Sequence, residues 1–269
     1  MAEAVSEQRP EPLARRRAEQ NATRHRFGLA YLALAALLGA GVGLFVVLAA
    51  NGDKNSGPPW STWKPTESGI KGLDQIAKHV SRQYALPSRH TLVAVLSTPP
   101  VVQGSGQTVP VRAIAVATGL PGESVNDAQF FNGSGAWAYV LCGLGQNCAI
   151  SDGKASIERG QLLRREALEL ALYTFKYNSD VNLLLTFMPP PVGQQAKAVL
   201  FFQRANFETP LKAPLARTLP PPRTTLLPGK MSASDLARVR RYADPHVYTF
   251  QYQQIPDGTA IMVLRPLTA

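Results

Sequence analysis

Residues 27–50 form the longest apolar stretch of the chain, 24 positions with neither a charge nor a proline. A helix of that length measures about 36 Å, enough to cross a hydrocarbon core of about 30 Å. A helix is at home in lipid because it satisfies its own backbone donors and acceptors. Arg15, Arg16, Arg17, Arg24 and Arg26 stand just before the run, and only Lys54 and Lys64 follow closely. Cations stay on the inner side, so the N-terminus is expected in the cytoplasm and the rest of the chain outside it, in the cell envelope. Val47-Leu48-Ala49 resembles a weak signal-peptidase site, but the run exceeds the about 7–15 apolar residues of a cleaved signal. Ala35, Gly39 and Gly43 recur every fourth position, the spacing that lets two membrane helices approach and pair, so a homodimer through this segment is one expectation.

Beyond the run, the periods change. Residues 51–66 are rich in Gly, Pro and Ser and read as a linker, with Trp60 and Trp63 set either to meet lipid headgroups or to pack on the domain. Ile70, Leu73, Ile76, Ala77, Val80 and Tyr84 recur at three- and four-residue spacing, which predicts a helix over 67–85. Alternating and near-continuous apolar runs predict strands at 91–98, 109–118, 136–142, 181–188 and 197–204. Residues 99–108 read as a flexible connection, and 130–135 as a turn. The strongest soluble helix falls at 157–177, where Leu162, Leu163, Leu168 and Phe175 make an apolar face and Arg164, Arg165, Glu166 and Glu169 fall mostly opposite.

Six prolines between 209 and 230 predict an extended connector. Ser232 and Asp235 then open a short helix as cap and dipole partner. A hairpin ends the chain, turning at Ile255-Pro256-Asp257-Gly258, with Tyr248, Phe250 and Tyr252 on one face. A tail this short cannot build its own core and is expected to join the main sheet. The expected fold class is α+β: one N-terminal transmembrane helix, then a mixed, largely antiparallel sheet with helices on one face. The expected divisions are a cytoplasmic basic tail at 1–26, the membrane helix at 27–50, the linker at 51–66, and an extracytoplasmic domain at 67–269.

The chain is 45% hydrophobic and 17% charged, which is enough apolar surface for a packed core. Its net charge of +10 fits contact with anionic lipid headgroups or a cell-wall polymer. Arg238, Arg240 and Arg241 on the last helix are the residues singled out for such contact, with a solvated helix face as the other reading. Nucleic acid is not expected on the outer side of a membrane. Cys142 and Cys148 flank a five-residue loop with two glycines, and outside the cytoplasm they are expected to form a disulfide.

Catalytic signatures do not assemble. His25, His79, His90 and His246 have no metal-ligand spacing, and no cofactor or metal is expected. Ser68-x-x-Lys71 and Ser151-x-x-Lys154 match a serine–lysine pairing without its companion elements. The pattern therefore points to a membrane-anchored binding or scaffolding module. A hydrolase without a recognisable motif, or a sensor or assembly subunit that works through helix pairing, are the alternatives.

Overall fold

The computed structural model describes residues 59–104, 107–117, 128–255 and 257–267. The basic tail and the run 27–50, with Ala35, Gly39 and Gly43, lie outside the described residues.

Helix α1 (Gly69–Ser81) forms where Leu73, Ile76, Ala77 and Val80 repeat on one buried stripe. Strands β1 (Ala94–Thr98), β2 (Val101–Gly104), β3 (Gln107–Val116), β4 (Gln129–Asn132) and β5 (Ala136–Cys142) follow. The long helix α2 (Ile157–Tyr177) starts at Ser156, whose hydroxyl accepts the Arg159 N–H, and leads to β6 (Leu183–Phe187) and β7 (Ala198–Gln203). The proline-rich stretch is more structured than expected. It holds two short helices, α3 (Glu208–Lys212) and α4 (Leu215–Thr218). Helix α5 (Ala233–Tyr242) begins at the anticipated cap, Ser232 Oγ to Asp235 N–H at 3.1 Å. The closing hairpin is β8 (Val247–Gln254) and β9 (Ala260–Pro266).

The strands join into one nine-stranded sheet, ordered β1-β5-β6-β7-β8-β9-β3-β2, with β4 also on β3. The tail hairpin does enter it, antiparallel to β7 and parallel to β3. Two pairs are parallel, β5 with β6 and β3 with β9. The first follows from α2, since a helical crossover delivers the next strand in the same direction.

The expected fold class does not stand. Among the described residues no helix is long and apolar enough to cross a membrane. The sheet is mixed and rolls into a nearly closed, barrel-like form. Alternation splits its side chains between two cores. Tyr139, Leu141, Leu184, Leu200 and Phe202 pack under the helices. On the other face Ile114, Ala138, Leu185, Phe201, Met262 and Leu264, drawn from five strands, pack against one another. Phe131 on β4 meets Phe201 on β7 edge-on at 5.4 Å, although three strands lie between β4 and β7 in the sheet. Only a curled sheet brings those rings together.

The β4–β5 corner permits the curl. A single 3-10 turn, Gly133–Gly135, carries the chain from β4 directly into β5. A Cβ at Gly133 would lie 2.2 Å from the Val111 carbonyl oxygen, so only glycine passes this close to β3. Two strands therefore occupy stretches read as a connection and a turn: β2 pairs with β3 in a hairpin, and β4 pairs with the far half of β3.

The helix face differs from expectation too. Arg165, Glu166 and Glu169 are buried, because the segment after α1, the proline-rich stretch and α5 cover the side of α2 that reads as polar.

Phe201→Ala should empty the inner core at the point where the curl closes. A loss of about 3–5 kcal/mol is expected, read as a lower denaturation midpoint with an unchanged slope.

Candidate functional site

Three places gather chemistry. The first is the interior of the helix layer. Glu169 Oε1 accepts from Gln83 Nε2 at 2.9 Å, and Oε2 accepts from the Tyr84 hydroxyl and, at 3.2 Å, from Arg165 Nη1. Arg165 also donates to the Tyr84 oxygen, and its Nη2 donates to the Pro220 carbonyl at 2.7 Å. Asp235 on α5 lies 4.0 Å from Arg165 Nε and 3.5 Å from Arg238. Burial raises the Glu169 proton affinity, while Arg165, Tyr84 and Gln83 pull it back down. Burial opposes the Arg165 charge, but Tyr84 and Glu169 outweigh that and hold its proton more tightly than usual.

Glu166 has no such company. Both its carboxyl oxygens are buried without a hydrogen-bond partner. Burial, reinforced by the Glu169 charge, pushes its proton affinity well above the usual carboxylate range, so it stays neutral. Arg165 and Glu166 are 0% exposed and Glu169 1%, which seals the cluster from any solute.

The second place is a cleft of about 320 Å³ between the segment after α1 and the disulfide loop. Cys142 and Cys148 are bonded, as expected from their spacing. The loop turns tightly enough that a Cβ at Gly143 would lie 2.3 Å from the Ala149 carbonyl oxygen. Ser88, His90 and Asp152 meet here. The Ser88 hydroxyl donates to Asp152 Oδ2, and His90 Nδ1 lies 3.5 Å from the same oxygen. A hydrolytic relay needs the imidazole on the serine hydroxyl. Here both side chains converge on the carboxylate, and the imidazole is not poised to take the serine proton. Ser68 and Lys71 share no hydrogen bond among the described residues, nor do Ser151 and Lys154.

The third place is a groove of about 280 Å³ beside α1. Trp60 and Trp63 pack on the domain: the Trp60 indole donates to Pro210 O at 3.3 Å, and the Trp60 carbonyl accepts from Leu215 N at 2.6 Å. Ser61 Oγ pairs with the Tyr173 hydroxyl at 2.7 Å. The Trp63 ring lies flat on His79, centroids 3.8 Å apart and planes within 1°, with Tyr173 edge-on to both. Lys64, Lys78 and Arg82 border the stack, exposed, without an ion pair among the described residues. Burial, then the nearby Arg82 charge, lower the His79 proton affinity, so its ring is neutral at neutral pH.

The arginines singled out on α5 have different neighbours. Arg238 faces Asp235, Arg241 lies over the Tyr242 ring at 5.2 Å, and Arg240 is exposed. Among the described residues no cluster of His, Cys, Asp and Glu could hold a metal. Sequence reading missed the Trp63–His79 groove. Its signal was present in Lys71, Lys78 and Arg82, spaced seven and four apart on one helix face below Trp63. No protein-family model, curated protein or solved structure matches the chain.

Arg165→Met should leave Glu169 buried without its counter-charge and cost about 3–5 kcal/mol in denaturant unfolding. Glu166→Gln should behave oppositely with pH. The raised Glu166 proton affinity means that the folded wild type holds a proton the unfolded chain releases above about pH 4.3. Wild-type stability therefore falls as pH rises through that range and on toward the folded value. The variant should gain steadily on the wild type as pH rises above about 4.3, read from paired urea curves.

Proposed function

We propose that this chain is a membrane-anchored envelope protein whose folded domain, outside the cytoplasm, binds or scaffolds. The observation that carries this reading is the Cys142–Cys148 disulfide in the folded domain. Such bonds persist in oxidising compartments and are kept reduced in the cytosol. The uncharged run 27–50 and the arginines before it agree in sidedness with that bond.

Binding rather than catalysis is supported by where the ionisable groups sit. Tyr84 and Glu166, whose proton affinities are pushed well above their ordinary values by burial, are sealed in the helix layer with Glu169. Perturbed groups in a cleft would favour an enzyme, whereas the same groups in a sealed network hold structure. The surface is left with open grooves edged by aromatic and basic side chains, which is the equipment for contact with a partner.

The test is sidedness in living cells. Both native cysteines are in the disulfide, so Ser234→Cys, at the exposed start of α5, supplies a unique thiol. A membrane-impermeant maleimide should label it in intact cells. Labelling only after lysis would place the domain in the cytoplasm and end the proposal.

A further inference from the structure

We infer that the groove beside the Trp63–His79 stack binds the phosphate headgroups of anionic lipids. This rests on the membrane-anchored reading above and names the surface that the domain would engage.

The groove has the two components such a surface requires. Its cations come from two separate segments. Lys78 and Arg82 lie on one face of α1 and just after its end, with Lys71 two turns before Lys78. Lys64 enters from the segment ahead of the helix. Lys78 and Arg82 also complement the negative end of the α1 dipole. That role does not account for Lys64, which belongs to no helix, or for Lys71, which sits in the first turn. The three cations that line the groove, Lys64, Lys78 and Arg82, outnumber Glu67 and Asp74, the carboxylates nearest in sequence.

The second component is a rigid aromatic wall. Trp63 is held by His79 and Tyr173, and the Tyr177 hydroxyl donates to the Trp63 carbonyl at 3.4 Å. An indole fixed at a basic rim suits the water–lipid boundary, where tryptophan rings concentrate. Thr66 and Gln75 line the same groove, and their hydrogen bonds to each other at 3.0 and 3.2 Å tie the lead-in segment to α1.

The sequence supplies the reason for lipid rather than a diffusing anion. Trp60 follows Ala50, the end of the uncharged run, with nine residues between them. Basic residues this close in sequence to a membrane-spanning run are candidates for anionic headgroups, and each one that reaches an anionic surface strengthens the contact about fivefold.

The test uses the full chain with vesicles of phosphatidylcholine alone or mixed with phosphatidylglycerol, each carrying a trace of headgroup-nitroxide lipid. Flotation reports attachment, and quenching of tryptophan emission reports contact at the headgroups. The expected result is flotation with both vesicles, and quenching that rises with phosphatidylglycerol and collapses in high salt. The double reversal K78E/R82E, checked for folding by near-ultraviolet circular dichroism, should lower quenching to the phosphatidylcholine level. R240E/R241E should leave it unchanged. Equal quenching in both vesicles overturns the site while anchoring stands. Flotation with phosphatidylglycerol vesicles alone supports the site and removes the anchor, and flotation with neither removes both. An emission change with a soluble glycerol-phosphate polymer but none with phosphatidylglycerol vesicles assigns the groove to a wall polymer and overturns the lipid proposal.

Discussion

A guanidinium with no exposed surface dictates much of the helix layer. Arg165 pairs its two terminal nitrogens with Glu169, the Tyr84 hydroxyl and the Pro220 carbonyl, while its Nε lies buried 4.0 Å from Asp235 without a hydrogen bond. Those partners belong to α2, to the segment after α1 and to the proline-rich stretch, and Asp235 adds α5. One side chain therefore fixes where four parts of the chain meet. The backbone records the same junction, since Ala85 N donates to Leu226 O and Leu226 N to Gln83 O. With that layer held, the outer face of the sheet is covered, and burial of Phe201, Leu185 and Met262 on the other face rolls the strands inward.

Local periodicity announced the elements whose burial is one-sided. Helix α2 and strand β5 have the bounds their apolar patterns imply, and the capped helix α5 and the closing hairpin lie where Ser232 and Asp257-Gly258 put them. The polar positions of α2 misled, because a helix pattern reports which residues are charged and not what else will cover them. Arg165 and Glu169 read as a solvent face, yet they are the centre of a network with partners 85 and 55 residues distant. Strands β2 and β4 were hidden for a related reason. Each is four residues long and stands as a strand through pairing with β3, a contact no local window contains. The curl itself depends on Phe131 meeting Phe201, which is equally invisible to a local pattern.

The disulfide was legible because its loop is local. The basic aromatic groove was legible only in part. Trp63 stood out by type, but its stacking on His79 depends on how the lead-in segment lies along α1. The consequence for function is a division of labour. The strongest electrostatics of the molecule are spent inside, on holding the helices together. What remains for partners is the surface, where Lys64, Lys78 and Arg82 face outward around a fixed indole.

Native-state hydrogen exchange at the Ala85 and Leu226 amides tests the dependence on Arg165 most directly. If the buried guanidinium holds the layer, both amides should exchange only through the global unfolding that exposes the centre of α2, with the same free energy of opening. Opening of either amide at a much lower free energy, while the α2 amides stay protected, would show that the junction is a loose flap and contradict the account.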